Sequence, residues 1–235
     1  MALPKLDIPR YETKIPSTNK KVVYRPYVVK EEKILMIAME SNDQTQMIRA
    51  VKDIISSCTE NTIDADSLTM FDIEYMFTQL RAKSVGEVSK ILMACTNCSE
   101  KNEVSIDLSK VKVDAVDQKS KKIKLTNNVS VALKYPSVKD IEEIAREDRS
   151  EVDIIFDLVI LCIDSIYSAD EIFDAKEQSK HELTEFVESL NSEQFSKITE
   201  FVQNTPAVKT MAVFDCQKCG THNEIEIKGL ANFFS

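Results

Sequence analysis

Two segments of the chain share one twelve-residue pattern. CTNCSEKNEVSI occupies residues 95–106, and CQKCGTHNEIEI occupies residues 216–227, an offset of 121 positions. Both follow the pattern C-x-x-C-x-x-x-N-E-[V/I]-x-I. The identical pairs are Cys95/Cys216, Cys98/Cys219, Asn102/Asn223, Glu103/Glu224 and Ile106/Ile227. Any fold proposed for this chain has to explain why this pattern occurs twice.

Each copy is predicted to be a tight turn between two strands, because alternating apolar residues follow each cysteine pair. Zinc takes four tetrahedral ligands, and one C-x-x-C turn supplies two of them. The two turns therefore predict one structural zinc site formed by Cys95, Cys98, Cys216 and Cys219. The two hairpins are expected to face each other across a pseudo-twofold axis. A site closed by four thiolates leaves no position for water or substrate.

Other interpretations of the cysteines remain open at this point. They are a redox dithiol, thiols without metal, and two half-sites on different subunits. A redox C-x-x-C normally occurs once, where a strand meets a helix. His222, three residues after Cys219, is an alternative ligand. Cys58 and Cys162 lie among apolar residues of predicted helices and are expected to be buried free thiols.

The cellular compartment affects how these cysteines are interpreted. Residues 1–7 contain no apolar run typical of a signal peptide. The chain has no run of about 18 uncharged apolar residues, so we expect no membrane span. We therefore expect a reducing cytoplasm, where paired cysteines bind metals more often than they form disulfides. The net charge of −9 disfavours a nucleic-acid backbone as the main partner.

Hydrophobic periodicity predicts an α+β fold that is mainly helical, with a small zinc-ribbon-like β element made of the two distant C-x-x-C hairpins. Four regions are expected to form one compact unit. They are an N-terminal extended or β arm at 1–30, a helical region at 31–87, the zinc-ribbon-like element at 88–135 and 206–235, and a second helical region at 136–205.

Three local signals sharpen this division. Thr69 and Asp72 are spaced as a weak capping box at the start of a helix. Asn127 and Asn128 lie between two alternating runs and predict a β-hairpin. The segment EVDIIFDLVILCIDSIY, at 151–167, is apolar nearly all round and predicts a buried central helix.

Recognisable catalytic motifs are missing from the sequence. There are three glycines and two histidines, and the phosphate-binding, nucleophile-elbow and metalloprotease motifs do not occur. Acid-rich stretches are typical of solvated helix faces. We therefore expect no enzymatic activity and no small-molecule substrate.

Two segments have a composition suited to protein partners. Arg25 and Tyr27 flank Pro26 and precede a Met-rich helix, and Arg, Tyr and Met are enriched in interface cores. Phe233 and Phe234 lie at the chain end. We predict that residues 15–30, the helix after them and the terminal phenylalanines contact a neighbouring subunit, and the chain itself is a candidate homo-oligomer.

The segments IPSTNKKVVYRPYVVKEEKILMIAMES (15–41) and FDIEYMFTQLRAKSVGE (71–87), the two cysteine turns and the closing GLANFF resemble the baseplate protein family of T4-like contractile-tailed bacteriophages. The resemblance covers nearly the whole chain. It implies a non-enzymatic baseplate hub protein, acting as a structural subunit or assembly chaperone. The implied partners are other hub or tail assembly proteins, in the host cytoplasm during assembly or in the virion tail. A zinc-ribbon adaptor in transcription or nucleic-acid binding is the alternative.

Overall fold

The computed structural model describes residues 6–41, 43–113, 121–145 and 150–229. Within the structure 43% of residues are helical and 26% lie in strands. The fold is α+β, as the sequence predicts. The expectation of a mainly helical protein is wrong, because strands recur throughout the chain, including the region at 136–205 that was expected to be helical.

The described residues contain seven α-helices and eleven strands. The helices are α1 (Val29–Glu40), α2 (Gln44–Cys58), α3 (Met70–Ser84), α4 (Val138–Ala145), α5 (Glu151–Cys162), α6 (Lys180–Glu188) and α7 (Ser192–Gln203). The strands are β1 (Tyr11–Lys14), β2 (Lys21–Tyr24), β3 (Val88–Ala94), β4 (Lys101–Asp107), β5 (Lys112–Val113), β6 (Lys121–Lys124), β7 (Ser130–Leu133), β8 (Ile163–Tyr167), β9 (Ile172–Asp174), β10 (Val208–Asp215) and β11 (His222–Lys228).

The chain divides into two compact units. Unit 1 comprises Met1–Val116 with Pro206–Ser235, and unit 2 comprises Asp117–Thr205. Both cysteine turns belong to unit 1. Residues 121–135, which the sequence analysis grouped with the zinc-ribbon-like element, belong to unit 2.

The N-terminal part of unit 1 is a small antiparallel β1–β2 hairpin followed by three helices. Helix α3 is the most deeply buried of the three, and the rings of Phe71 and Phe77 are both 1% exposed. Burying a side chain of this size stabilises the fold by about 1.5–3 kcal/mol. Thr69 and Asp72 cap α3 reciprocally through side chain and backbone, which is the predicted capping box.

Two antiparallel hairpins, β3–β4 and β10–β11, form the rest of unit 1. Each has seven paired positions with its cysteine pair in the connecting turn, and β5 adds to β10 at the edge of the second sheet. Alternate side chains point into one shared core, as the period-2 pattern requires. That core consists of Ala82, Ile91, Val104, Ile106, Leu108, Val111, Val208, Ala212 and Ile227.

Unit 2 packs helices against an antiparallel four-stranded sheet with the order β6-β7-β8-β9. The hairpin predicted around Asn127 and Asn128 is confirmed as β6–β7. The single helix predicted over 151–167 is wrong in its last part: α5 ends at Cys162, and Ile163–Tyr167 is β8. Residues after Cys162 pair with β7 on one side and β9 on the other. A mostly apolar segment is compatible with both a buried helix and a buried strand, and here pairing with β7 and β9 determines that the last part is a strand.

Among the described residues, no helix combines the length and the apolar character needed to span a membrane.

Candidate metal centre

The first cysteine pair lies in the turn between β3 and β4. The backbone N–H of Cys95 donates to the carbonyl of Glu100 at 2.9 Å, and the N–H of Ser99 donates to the carbonyl of Cys95 at 2.9 Å. The N–H of Asn97 points at the Cys95 sulfur at 3.4 Å. This tight turn therefore orients backbone dipoles toward a sulfur, which favours the thiolate form.

The second cysteine pair repeats the same turn between β10 and β11. Cys216 N–H donates to the carbonyl of Thr221 at 2.9 Å, and Gly220 N–H donates to the carbonyl of Cys216 at 2.9 Å. The residue after the second cysteine has a left-handed backbone in both turns, with φ of +70° at Gly220 and +58° at Ser99. Glycine adopts this conformation freely, whereas serine does so at a cost.

The two turns bring all four cysteine sulfurs together. Their Sγ atoms lie within 4.8 Å of one another. Cys95 and Cys219 are 3.7 Å apart, and Cys98 and Cys216 are 3.6 Å apart, so the short contacts cross between the hairpins. A tetrahedron with metal–sulfur bonds of about 2.3 Å has edges of about 3.8 Å. The sulfur spacing therefore fits one tetrahedral metal ion held by two residues from each hairpin.

Asn223 connects the second hairpin to the first turn. Its Oδ1 accepts hydrogen bonds from the backbone N–H of Thr96 at 2.9 Å and from the hydroxyl of the same residue at 2.8 Å. Its Nδ2 donates to the carbonyl of Thr221 at 2.8 Å and lies 3.7 Å from the sulfur of Cys95. One buried amide thus holds its own turn, the opposite turn and a sulfur of the opposite pair.

Asn102 makes the reciprocal connection from the first hairpin. Its Oδ1 accepts from the backbone N–H of Gln217 at 2.9 Å, and its Nδ2 donates to the carbonyl of Glu100 at 2.8 Å. The same nitrogen lies 3.7 Å from the sulfur of Cys216. The two asparagines are 3% and 1% exposed, so both amides are satisfied inside the protein.

This exchange explains the repeated asparagine of the duplicated pattern. The sequence showed the identity of Asn102 and Asn223 but gave neither a role. Their N–H groups face sulfurs that a metal would hold, the position at which neighbouring hydrogen bonds orient ligands and tune their charge. The signal in the sequence was the fixed distance of each asparagine from its cysteine pair.

The electrostatics of the sulfur cluster favour a bound cation. The hydroxyl and backbone N–H of Thr221 lower the pKa of Cys219 to about 6. The N–H of Glu100 favours the Cys98 thiolate, but the neighbouring sulfurs outweigh it and raise the pKa of Cys98 to about 12. Without metal, neighbouring sulfurs of the cluster thus compete for negative charge. A divalent cation removes that competition, because it binds the thiolates and displaces their protons.

The remaining histidine and cysteine candidates lie outside this cluster. His222 directs Nδ1 to Asp215 at 2.7 Å and Nε2 to Glu224 at 3.4 Å, and these carboxylates raise its pKa. Burial raises the pKa of Cys58 to about 11 and that of Cys162 to about 12. Both thiols are 1% exposed, as expected for unreactive core cysteines.

Arg25 belongs to a buried polar cluster at the start of α1. Its guanidinium donates to the Glu31 carboxylate at 2.8 Å, and the Ser57 hydroxyl donates to that carboxylate at 3.0 Å. The N–H of Val28 donates to the other oxygen of Glu31 at 3.0 Å. Burial alone would raise the pKa of Glu31, but these hydrogen bonds lower it to about 2. The charge pair therefore fixes the end of the N-terminal arm to the helix.

Tyr27 also packs within unit 1, with its ring stacked on Phe77 at a centroid distance of 6.4 Å. It is 7% exposed. Phe233 and Phe234 lie outside the described residues. Contact of Arg25, Tyr27, Phe233 and Phe234 with a partner subunit stays a prediction.

Unit 2 contains a cleft of about 380 Å³ that is lined by both apolar and charged residues. Two of the carboxylates that line it have structural partners. Asp157 forms an ion pair with Lys180 at 3.0 Å, and Asp140 accepts from the Ser137 hydroxyl at 2.7 Å at the start of α4. These carboxylates therefore serve an ion pair and a helix cap. The four sulfurs of the cysteine cluster, in contrast, converge on one point and form the stronger candidate for a functional site.

Comparison with known protein families gives a match over nearly the whole chain. A family model described as "T4 bacteriophage base plate protein" matches residues 8–235. The match includes both cysteine turns and residues of both compact units. No curated protein and no solved structure matches the chain.

Proposed function

The chain belongs to the T4 bacteriophage base plate protein family, and from that premise we propose that it is needed to build the central hub of a phage tail baseplate. It acts there as a structural subunit or as an assembly chaperone. Its partners are other baseplate hub or tail assembly proteins. It works in the host cytoplasm during assembly and, as a structural subunit, remains in the tail of the virion. The family match over 8–235 is the observation that carries this proposal.

The proposed role is mechanical rather than catalytic. Unit 1 contains a set of four sulfurs that meets the coordination number of a structural metal site. Such a site holds chain segments together and offers no open position for a substrate. This arrangement supports the role of a rigid structural component in a larger assembly.

We assign zinc as the metal of this cluster. Tetrahedral four-sulfur sites take zinc or iron, and the C-x-x-C spacing of both pairs is that of four-cysteine structural zinc sites such as zinc ribbons. Bound zinc would contribute on the order of 10 kcal/mol to folding. It would join two hairpins whose cysteine pairs are 121 positions apart in sequence, with the whole of unit 2 lying between them in the chain. Elemental analysis of the purified protein should find one zinc per chain and no stoichiometric iron.

The hub role is tested in infected cells. A phage with a nonsense mutation early in this gene is grown with and without a plasmid copy, and baseplates are examined by electron microscopy. We expect baseplates without a central hub, restored by the plasmid. Normal hubs in the absence of the protein would contradict the proposal.

A second measurement separates the two forms of the role. The amount of the protein is compared in infected-cell lysates and in purified finished tails by quantitative immunoblotting. A fixed number of copies per tail identifies a structural subunit. Abundance in lysate together with absence from finished tails identifies a chaperone.

A further inference from the structure

Helix α1 exposes an unusual amount of apolar surface for a helix of twelve residues. It buries only Glu31, Leu35 and Ala38, a narrow stripe on one side. Large apolar side chains occupy much of the rest. The exposed ones are Val29 (77%), Ile34 (38%), Met36 (59%), Ile37 (56%) and Met39 (40%).

The side of α1 opposite the buried stripe has a defined composition. At 100° per residue, the residues that face directly away from the core are Val29, Lys33, Met36, Ile37 and Glu40. Within this outer face, Lys33 and Glu40 lie on the centre line, and Met36 and Ile37 flank it on opposite sides. The apolar side chains supply surface that another helix can bury. The two charges at the centre require opposite charges from that helix, because a buried charge without a partner is costly.

We propose that a second copy of this chain docks on this outer face, with the two α1 helices antiparallel about a twofold axis that passes between the heights of Met36 and Ile37. This axis brings Lys33 opposite the partner's Glu40, since residues 33 and 40 are equally distant from it along the helix. The Lys33–Glu40 contact therefore occurs twice, as in any isologous interface. The two Met36 side chains meet on one flank of the contact, and the two Ile37 side chains meet on the other.

Charge complementarity is the argument for a second copy. Among the described residues, Lys33 and Glu40 have no ion-pair partner. The antiparallel pairing gives both of them an opposite charge across the interface. Reversing the direction of one helix would place like residues at the same height and remove this match. The outer face is therefore complementary to itself, with no need for a partner of different charge.

The size of the contact limits its strength. One pair of three-turn helices buries less surface than the roughly 1,200 Å² of a stable interface. We expect a dissociation constant of about 10–100 μM in the purified protein. Such a contact becomes significant where copies are held close together, as in a larger assembly. The inference is independent of whether that assembly is the baseplate hub.

Charge reversal tests the geometry in the full-length, metal-replete protein by sedimentation velocity over a concentration series. Lys33→Glu places a second carboxylate opposite the partner's Glu40, and Glu40→Lys places two ammonium groups opposite each other. Each variant should dimerise about tenfold more weakly than the natural chain. Mixing the two variants in equal amounts should restore the natural affinity, since every facing pair in the mixed dimer is then of opposite charge.

Matched controls change the same charges on the flanks of α1. Lys30→Glu and Glu32→Lys lie on the same exposed helix but away from the outer face, and they should leave dimerisation within about twofold of natural. Circular dichroism confirms that every variant is folded. A natural chain that stays monomeric up to about 1 mM overturns the proposal. So does a dimer that the reversals do not weaken, or one that mixing does not restore.

Discussion

Asn102 and Gln217 lie 115 positions apart in the chain and are joined by a hydrogen bond of 2.9 Å from the Gln217 N–H to the Asn102 side chain. The same bond runs in the opposite direction from Thr96 to Asn223. The asparagine side chain of each hairpin therefore accepts a hydrogen bond from a backbone N–H in the turn of the other hairpin. The hairpins are joined by this reciprocal pair of bonds as well as by the sulfurs, so the repeated asparagine belongs to the site as much as the cysteines do.

Replacing either asparagine should weaken unit 1. Asn102→Ala and Asn223→Ala each leave a backbone N–H of the opposite turn without a partner. Each also removes one of the two hydrogen bonds to a carbonyl of its own turn. We expect a loss of about 1–3 kcal/mol in the free energy of unfolding for each variant. Metal retention against a competing chelator should fall as well, because the N–H groups that face the sulfurs are removed. Urea unfolding and a chelator titration measure the two effects.

Asn128→Ala is the control for these variants, because Asn128 lies exposed in the β6–β7 turn of unit 2. It should change the unfolding free energy by less than about 0.5 kcal/mol and leave chelator resistance unchanged. If Asn102→Ala and Asn223→Ala were as stable as the natural chain, the reciprocal hydrogen bonds would contribute nothing to holding the two hairpins together.

Removing a cysteine of the cluster should release the metal. Cys95→Ser and Cys216→Ser each take one buried ligand from the set, and both should lose stoichiometric zinc and the cooperative unfolding of unit 1. Chelation of the natural protein should have the same effect. Mass spectrometry under native conditions gives the metal count, and thermal unfolding gives the loss of structure.

Cys162→Ala is the matched control, since Cys162 is a buried thiol of unit 2 that lies outside the cluster. It should keep one zinc per chain even where it lowers the stability of unit 2. A natural protein that contains no metal and still unfolds cooperatively would contradict the zinc assignment.

The cysteine cluster was predictable because its signal is local and repeated. Each turn is specified by a few adjacent residues, and paired C-x-x-C turns are typical of structural metal sites. The pairing of the turns followed from the number of ligands that a tetrahedral metal needs. The exchange of amides between hairpins was not predictable, since it depends on which backbone N–H lies opposite Asn102 or Asn223 in the folded protein.

The course of the chain after α5 shows where sequence reasoning fails. Residues 151–167 are apolar nearly throughout, and this pattern suits a buried helix or a buried strand equally well. The change at Ile163 is decided by partners distant in sequence: Val131 of β7 pairs with Ile166, and Phe173 of β9 pairs with the same residue from the other side. Local periodicity carries no information about these partners.

The Arg25–Glu31 pair should make stability depend on acidity. The folded pKa of Glu31, about 2, lies below the ordinary value of 4.5. Stability from this group is therefore fully present above about pH 5 and is lost as the pH falls toward 2. Glu31→Gln should lower the free energy of unfolding by about 3 kcal/mol at pH 7 and by progressively less as the pH falls below 4.5. Urea unfolding of both proteins across this range gives the difference.

Glu193→Gln is the control for the pH series, because Glu193 pairs with Lys197 at 2.8 Å on an exposed face of α7. An exposed ion pair contributes little to stability because water screens it, so this variant should show little pH-dependent difference from the natural chain. If Glu31→Gln and the natural chain were equally stable at pH 7, the attraction between Arg25 and Glu31 would only offset the cost of removing the two charges from water.

Substitutions at the equivalent position of the two cysteine turns should change the free energy of unfolding in opposite directions. Ser99 holds a left-handed φ of +58°, and Gly220 holds +70° at the equivalent place. Ser99→Gly should raise the free energy of unfolding by about 0.5–1 kcal/mol. Glycine removes the cost of the left-handed conformation, and this gain exceeds the extra conformational entropy that glycine loses on folding. Gly220→Ala should lower it by about 1–2 kcal/mol. An added Cβ at Gly220 meets no atom within 4 Å, so backbone conformation alone sets the loss. Urea unfolding with zinc present measures both changes, and shifts of the same sign would contradict the equivalence of the two turns.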